Sequence, residues 1–208
     1  MKIVTISDTH GKHDLVKLPD ADLIIHAGDI TPMGKESEVK SFLNWFSNLS
    51  IKYKVFIARN HDFHFENSSS DVIQNIIPKN IIYLKDQEVT IDGVKIWGSP
   101  ITPWFYDWAF NRERGADIKK HWDLIPLDSD IVVTHGPIHK VLDKTVHGQN
   151  AGCEELAKAI SLIKPKVHIC GHIHEAYGDV NLNSIHFLNS SVLNEKYRLV
   201  NEPILFEL

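Results

Sequence analysis

The feature that most constrains this chain is a series of short apolar runs, five of which end in Asp, Asn or His. Runs of this length that are rich in Val and Ile are typical of buried β-strands. The five are KIVTIS before Asp8, Thr9 and His10; ADLIIHA before Gly28 and Asp29; YKVFIA before Arg59, Asn60, His61 and Asp62; DIVVT before His135 and Gly136; and KVHIC before Gly171, His172, Ile173 and His174. One polar strand ending is ordinary in a loop. Five of them predict a shared site, because the carboxyl ends of strands in open α/β sheets form the ligand-binding edge.

Segments with helical periodicity lie between the strand-like runs. Apolar residues recur at i, i+3, i+4 and i+7 in residues 35–49 and again in residues 151–164. Asp92-Gly93 in the stretch TIDGVKI suits a type I′ turn, which predicts a β-hairpin. Strands that alternate with helices, together with a hairpin, predict an α/β fold with mixed sheets. No Pro/Gly/Ser-rich linker interrupts the chain, so we expect one domain over residues 1–208.

Composition and charge argue against several classes of protein. The 208 residues are 43% hydrophobic, enough for one well-buried core, and the net charge of −5 disfavours a binder of nucleic-acid polymers or anionic membranes. The sequence opens on MKIVTISD without the regions of a secretory signal, and no apolar stretch reaches the roughly 20 residues that span a bilayer. Cys153 and Cys170 have neither metal-type nor disulfide-framework spacing. We therefore expect a cytoplasmic protein.

The residue types at the strand ends favour metal binding. In the D-x-H pair at residues 8–10 and the H-x-H pair at residues 172–174, positions i and i+2 of an extended chain point the same way and can reach one point. Imidazole together with carboxylate suits Mn, Fe, Co or Zn better than Ca. His26 and His168 fall within strands, and hydrogen-bonded core residues are the preferred interpretation for them.

The motifs D-x-H, G-D, N-H-D, H-G and G-H-x-H, in this order from Asp8 to His174, resemble those of the calcineurin-like metallophosphoesterases. The resemblance implies a four-layer α/β sandwich of two mixed β-sheets flanked by α-helices, with a dinuclear site at the strand ends. The stretches GSPITPWFYDWAFNRERG and VTHGPIHKVLDKTVHGQNAGCEELAKAI are similar to those of small, brain-type metallophosphoesterase-domain-containing proteins and their microbial relatives. These are in turn similar to class III cyclic-nucleotide phosphodiesterases, which use Mn or Fe.

The resemblance also implies roles for individual residues. Two divalent metal ions are expected, with Mn as the first choice and Fe, Co or Zn as alternatives. Asp8, His10, Asp29 and His174 would hold one ion, and Asn60, His135 and His172 the other, with Asp29 bridging the two. A hydroxide between the ions would attack phosphorus in line, while His61, which is not a ligand, protonates the leaving alkoxide. Asp62 is a candidate to orient an imidazole.

Arg59 departs from the family, which usually has glycine at this position. Its guanidinium could grip the substrate phosphate, point to solvent from a mildly strained turn, or obstruct the site. Core packing is the main interpretation for the aromatic-rich residues 104–110, although Trp104 could instead stack on a nucleobase at the pocket rim. The polar residues that follow could meet substrate phosphate or form a solvated turn; these are Asn111, Arg112 and Arg114.

We therefore predict a dinuclear-metal-dependent phosphodiesterase that hydrolyses a small phosphodiester, with cyclic nucleotides preferred. A phosphomonoesterase or a nucleotide pyrophosphatase of the same fold would carry the same ligand set and stays an alternative. A scaffold that binds metal but has lost catalysis is the alternative from a different class, because fold alone does not determine function. The complete ligand set together with His61 favours the enzyme. A nucleotide or similar small molecule is the expected partner, and the oligomeric state is left open.

Overall fold

The computed structural model describes residues 1–208, and strands and helices alternate along it. The strands are β1 (Lys2–Ile6), β2 (Leu23–His26), β3 (Tyr53–Phe56), β4 (Ile82–Tyr83), β5 (Gln87–Ile91), β6 (Val94–Ser99), β7 (Thr102–Pro103), β8 (Asn111–Arg112), β9 (Ile131–Thr134), β10 (Val167–Cys170), β11 (Gly178–Leu182), β12 (Ile185–Asn189) and β13 (Ile204–Glu207). The helices are α1 (Glu36–Ser47), α2 (Phe63–Asn67), α3 (Ser70–Ile76), α4 (Ala116–Trp122) and α5 (Glu154–Ile163). Short 3₁₀ turns lie at His13–Leu15 and His174–Ala176.

Two mixed sheets form the centre of the fold. The first has the strand order β13-β1-β2-β3-β4, with β1 to β4 parallel and β13 antiparallel beside β1. The second has the order β11-β12-β10-β9-β6-β5, with four parallel central strands and an antiparallel strand at each edge. β7 and β8 form a separate parallel pair. The predicted α/β fold with mixed sheets is confirmed.

The inner faces of the two sheets pack against each other. Ile3 and Ile25 of the first sheet lie in one buried cluster with Ile96, Val133 and Ile169 of the second. Because successive side chains of a strand point to opposite faces, the neighbouring residues of the same strands face outwards and pack against helices. The four layers therefore run helix, sheet, sheet, helix.

Aromatic side chains attach the helices to the outer faces of the sheets. Phe42 of α1 has no exposed surface, and its ring centroid lies 5.5 Å from that of Phe56 in β3. Similarly, the ring centroid of Trp122 in α4 lies 6.4 Å from that of Trp97 in β6. Burial of such side chains supplies much of the free energy of folding, since each removes a large apolar area from water.

Most elements agree with the periodicities of the sequence. The five runs that end in polar residues form β1, β2, β3, β9 and β10, and the two helical segments form α1 and α5. The predicted hairpin joins β5 to β6, and its turn residues Asp92 and Gly93 both have positive φ, at 47° and 84°. Helices α2, α3 and α4 are five to seven residues long, too short for a period of 3.6 residues to stand out.

The predicted strand ends meet where the two sheets join. Ile6, His26 and Phe56 are neighbours at the ends of β1, β2 and β3. Beyond them, Ser7 N donates to Ser190 O (2.8 Å) and Ser190 N donates to Cys170 O (2.8 Å). These bonds connect the end of β1 to the ends of β12 and β10, so residues that follow strands of both sheets are brought to one place.

Phe42→Ala should lower the free energy of unfolding by about 3–5 kcal/mol, because it removes a fully buried ring from the layer between α1 and the first sheet. Urea denaturation followed by far-UV circular dichroism measures this change. Val72→Ala on α3, where the valine is 44% exposed, is the control and should stay within about 0.5 kcal/mol of wild type. Similar losses in both variants would contradict the assignment of Phe42 to the core.

Candidate metal centre

The carboxylate of Asp8 lies at the junction of the two sheets and has no exposed surface. Its Oδ2 accepts hydrogen bonds from Ser191 Oγ (2.7 Å) and His172 N (3.0 Å). Its Oδ1 faces Nε2 of His135 at 3.4 Å and Nε2 of His174 at 3.3 Å. Asp8, which follows β1, is thereby in contact with residues that follow β9 and β10.

Asp29, which follows β2, is the second buried carboxylate of the centre. Its Oδ2 lies 3.4 Å from His135 Nε2 and 3.7 Å from His10 Nε2, and its Oδ1 accepts a hydrogen bond from His61 N (3.1 Å). Burial raises the pKa of the Asp29 carboxyl, but His135, His10 and His61 together outweigh this effect and hold the pKa well below its usual range. Asp29 is therefore ionised.

Three groups of potential metal ligands overlap around these carboxylates, and within each group the ligand atoms lie within 4.8 Å of one another. The groups are Asp8, His10 and His174; His10, Asp29 and His61; and Asp29, His135 and His172. Asp29 belongs to two groups, as a bridging carboxylate would. Ligand atoms about 2.0–2.2 Å from a common cation lie roughly 3–3.6 Å apart, so the contacts of Asp8 at 3.3 and 3.4 Å are compatible with such a cation.

Backbone carbonyl groups orient three imidazoles of the centre. The hydrogen bonds run from His135 Nδ1 to Ala27 O (2.6 Å), from His174 Nδ1 to Asn194 O (2.9 Å) and from His61 Nδ1 to Pro32 O (2.7 Å). A carbonyl oxygen only accepts, so Nδ1 carries a hydrogen in each ring, and the neutral form of the ring has its lone pair on Nε2. This is the tautomer that binds a metal ion through Nε2.

The backbone is strained at the predicted ligands. Positive φ angles occur at Asp8 (56°), His10 (42°), Asp29 (54°) and His172 (67°). Such conformations cost of the order of 1–3 kcal/mol each and persist where the surrounding structure enforces them, which is common at functional sites. Here Asp8 N donates to Gly28 O (3.0 Å) and His10 N donates to Asp29 O (3.0 Å), so the two loops hold each other in place.

The protonation of the histidines suits cation binding. Burial lowers the pKa of His10 to about 4, and burial with the nearby Arg59 lowers the pKa of His172 well below its ordinary value. Both rings are therefore neutral and able to act as ligands at neutral pH. Burial also lowers the pKa of His174, but Asp8, with the Asn194 carbonyl and Asp29, outweighs burial and raises that pKa to about 9. His174 would therefore release its proton on binding a cation.

Several polar atoms of the centre are buried without a hydrogen-bond partner. They are Asn60 Oδ1, His135 Nε2 and both ring nitrogens of His10. A buried polar atom without a partner costs free energy, and this set of imidazole, carboxylate and amide donors fits first-row divalent cations. Six of the seven predicted ligands are thus brought together in these groups, and the seventh, Asn60, has its Oδ1 buried without a partner. Their assignment to two ions stays a prediction.

His61 lies at the side of this cluster, supported by an indole ring. Its ring is 4.6 Å from that of His10 at an interplanar angle of 90°, and 4.3 Å from that of Trp108 at 30°. With Nδ1 bound to Pro32 O, Nε2 is the atom left for proton transfer. The geometry is compatible with the predicted general acid, although His61 also lies close enough to His10 and Asp29 to belong to one of the three ligand groups.

Asp62 does not orient an imidazole, so that prediction is wrong. Its carboxylate accepts from Thr31 Oγ1 (2.7 Å), Thr31 N (2.9 Å), Ile30 N (3.3 Å) and Arg59 N (2.8 Å). Burial, followed by repulsion from Asp29, raises its pKa to about 8. Asp62 therefore joins the loop after β2 to the loop after β3 and positions the residues between them.

Arg59 does not point to solvent, so that interpretation is also wrong. Its side chain has no exposed surface, and its backbone is not in the left-handed region. Nη2 donates to Thr102 Oγ1, and the guanidinium carbon lies 5.4 Å from the centre of the Phe105 ring. Nε and Nη1 are buried without partners. Binding of a phosphate and obstruction of the site remain as the two interpretations.

The aromatic-rich segment divides between the core and the site. Phe110 is buried as predicted, whereas Phe105 lies 5.0 Å from the ring of His172 and Trp108 stacks on His61. Trp104 is 53% exposed, and its role at the pocket rim stays a prediction. The sequence pattern did not separate these residues because aromatic side chains serve cores and binding sites equally well.

The polar residues after this segment stabilise loops. Asn111 Nδ2 donates to Phe105 O (3.0 Å) and Tyr106 O (2.8 Å). Arg114 donates to the carbonyls of Gly152 and Ala151, at 3.0 Å each, and Arg112 Nη1 to that of Asn111 (2.6 Å). These contacts occupy donors that could otherwise have bound a substrate phosphate, and they favour the turn interpretation.

The last 30 residues contribute contacts that the motifs did not indicate. Ser191 Oγ binds Asp8, Asn194 O orients His174, and the ring of Tyr197 lies 4.9 Å from that of His10 and 5.4 Å from that of His174. Ser191 follows β12, but none of these residues has a ligand spacing that marks it in the sequence. His26 and His168 are core residues as predicted, with Nε2 2.9 Å from Thr9 Oγ1 and Thr134 Oγ1 respectively.

This fold and this cluster of carboxylates and imidazoles define a metal-dependent phosphoesterase, a hydrolase of phosphate esters. The chain belongs to the calcineurin-like phosphoesterase family, whose model matches residues 1–176. The family and fold predictions are thereby confirmed. The identity of the metal and of the ester stays open.

Relatives of known sequence and structure are similar to this chain. Metallophosphoesterase domain-containing protein 1 of Homo sapiens is 39% identical over 231 residues, which cover 100% of this chain and 71% of the relative. A UPF0046 protein of Caenorhabditis elegans is 33% identical over 100% of this chain and 60% of its own length. The crystal structure of phosphopantetheinyl hydrolase from Mycobacterium tuberculosis has a TM-score of 0.68 at 13% identity, covering 94% of this chain and 90% of that one; at this identity the similarity concerns the fold.

None of the helices is both long enough and apolar enough to cross a lipid bilayer.

Gly171→Ala should reduce metal binding, because an added methyl group would overlap Ser7 Oγ and Asp8 Oδ2 and displace the Asp8 carboxylate. Elemental analysis of protein reconstituted with Mn would show less metal per chain than in wild type. Gly136→Ala is the matched control, since the nearest atom to its added methyl group is Thr102 Oγ1 at 3.4 Å. Wild-type metal content in Gly171→Ala would contradict this account of Asp8.

Proposed function

We propose that this protein is a dinuclear-metal-dependent phosphodiesterase of small phosphodiesters, with cyclic nucleotides as the preferred substrates. The observation that carries the proposal is the position of Asp29, which is shared by two groups of potential ligands beside His61. One ion would be held by Asp8, His10, Asp29 and His174, and the second by Asp29, Asn60, His135 and His172. When bound, such ions supply Lewis acidity and an activated water at neutral pH.

The protein's own groups would carry out the remaining steps. The carbonyl-bound rings of His135 and His174 hold their Nε2 atoms in fixed positions, which reduces the reorganisation needed when substrate binds. His61, fixed by Pro32 O and the Trp108 ring, would donate the proton from Nε2 to the leaving alkoxide. For this step His61 must be protonated when the ester binds, with Nδ1–H still bonded to the carbonyl.

The surroundings of the cluster support a diester in preference to a monoester. Phe105 and Trp108 are half-buried and flank His172 and His61, and such rings suit the organic substituents of a diester. Trp104 at the same turn is the proposed contact for a nucleobase.

Mn is the proposed native metal, since it is compatible with mixed imidazole and carboxylate ligands. A cytoplasmic location is proposed as well, because Cys153 and Cys170 are both free and buried, as is usual in reducing compartments.

The test compares hydrolysis of bis-para-nitrophenyl phosphate and para-nitrophenyl phosphate by chelator-stripped protein, with and without added Mn. We expect cleavage of the diester to depend on Mn and to exceed cleavage of the monoester, and cyclic nucleotides would be assayed next. A preference for the monoester would keep the metal centre and overturn the substrate class. Lack of activity in protein that has bound metal would indicate a scaffold.

His61→Ala should lower kcat for the diester by about 10²–10⁴, the usual contribution of a general acid, and leave metal content unchanged. His186→Ala is the control, because His186 lies on β12 and pairs with Asp179 (2.7 Å) away from the cluster. A His61→Ala protein with wild-type kcat would remove His61 from the mechanism. Loss of metal in this variant would instead assign His61 as a ligand.

Arg59 is the proposed phosphate-binding residue, because a buried donor without a partner is costly and a substrate oxygen would satisfy Nε and Nη1. Arg59→Met keeps the buried stem but removes the donors, and we expect roughly a tenfold or greater loss of kcat/KM, the effect of one lost charged hydrogen bond. Arg59→Gly should show at least the same loss. Higher activity in either variant would show that Arg59 obstructs the site.

A further inference from the structure

The turn that contains Tyr197 contributes to the metal centre although it lies outside residues 1–176, the part matched by the family model. Asn194 anchors the turn, since its Oδ1 accepts from Lys196 N and Arg198 N at 3.0 Å each, and its carbonyl accepts from Tyr197 N (2.8 Å). Lys12 Nζ donates to Tyr197 O (2.5 Å). Hydrogen bonds therefore stabilise the turn internally and connect it to the loop after β1.

Tyr197 occupies a conformation that its side chain does not favour. Its φ is 55°, in the left-handed region where a non-glycine residue is uncommon. A strained residue of this kind persists where the surrounding contacts enforce it, and such residues cluster at active sites and ligand clamps. Here the hydrogen bonds of Asn194 and Lys12 enforce the conformation of Tyr197. They hold its phenol ring over the metal centre.

The position of the ring leaves it available to a ligand. Tyr197 meets His10 and His174 at interplanar angles of 78° and 74°, so neither imidazole is stacked on it. The residue is 47% exposed. His10 in turn lies edge-on to His61 at 4.6 Å, and His61 lies 4.3 Å from Trp108. An ester bound at these histidines would therefore have both Tyr197 and Trp108 near it.

We propose that Tyr197 is a specificity-determining residue that stacks on an aromatic substituent of the phosphate ester, an inference that rests on the proposed phosphoesterase site binding such esters. The residue selects aryl or nucleobase-bearing esters over alkyl esters of the same charge. A purely structural role is less well supported, because Asn194 O already orients His174 and about half of the phenol is open to solvent.

The test measures binding of phenylphosphonate and methylphosphonate to the Mn-loaded protein by isothermal titration calorimetry. Both ligands present the same anionic group and neither is hydrolysed, so the ratio of their dissociation constants reports the aromatic substituent alone. Stacking of one ring on an aromatic side chain predicts that wild type prefers phenylphosphonate by roughly fivefold or more. Tyr197→Leu should abolish most of this preference, and Tyr197→Phe should retain it.

A matched control is Tyr106→Leu. Tyr106 also has a positive φ (49°) and is 76% exposed, and its ring neighbours Phe105 without touching a site histidine. The phosphonate ratio should be the same in this variant as in wild type. Metal content is measured in every variant, so that the effect on substrate binding is separated from an effect on the ligands.

The outcomes distinguish this inference from the proposed function. If Tyr197→Leu keeps the wild-type ratio, or loses its Mn, the specificity role is overturned while the phosphoesterase site stands. If the Mn-loaded wild-type protein binds both phosphonates equally, the inference is likewise overturned. A wild-type protein that binds neither phosphonate and cleaves no ester would overturn both proposals.

Discussion

The arrangement of the site depends on the burial of two carboxylates, those of Asp8 and Asp29. An ionised carboxylate is costly to bury unless each oxygen has a partner. The two oxygens of Asp8 face groups from Ser191 and from the loop after β10. Those of Asp29 face groups from the loops after β1, β3 and β9. The partners come from both sheets, so the carboxylates require the sheets to meet at their strand ends.

The same constraint explains the unusual backbone of the loops. A strand that ran straight past Asp8 would carry its side chain away from the partner sheet, whereas a left-handed residue turns the chain sharply. Gly171 allows the loop after β10 to approach Asp8 closely enough for His172 N to reach it. Conformational strain and close backbone approach are thus parts of one arrangement that aims five loops at a common point.

Much of this arrangement could be predicted from the sequence, and the reasons for the remainder are physical. The strands and the long helices were predictable because burial imposes periods of 2 and 3.6 residues. The positions of the predicted ligands were predictable because these residues follow strands. The role of Asp62 was not predictable, because its partners are mostly backbone N–H groups, which have no signature in the sequence. The proposed role of Tyr197 was not predictable either, because its position depends on a turn that is far from the motifs in the sequence.

The pairing of β13 with β1 has a consequence for how the protein acquires its centre. Lys2 pairs with Glu207, so β1 has a neighbour on its second edge only when residues 204–207 are present. Contacts between residues this far apart in sequence slow folding, because loop-closure entropy is lost before the contacts stabilise the structure. Asp8 and its partner Ser191 are 183 residues apart in sequence. During synthesis on the ribosome, the strand before Asp8 therefore gains its neighbour β13, and Asp8 its partner Ser191, only after the whole stretch between them has been made.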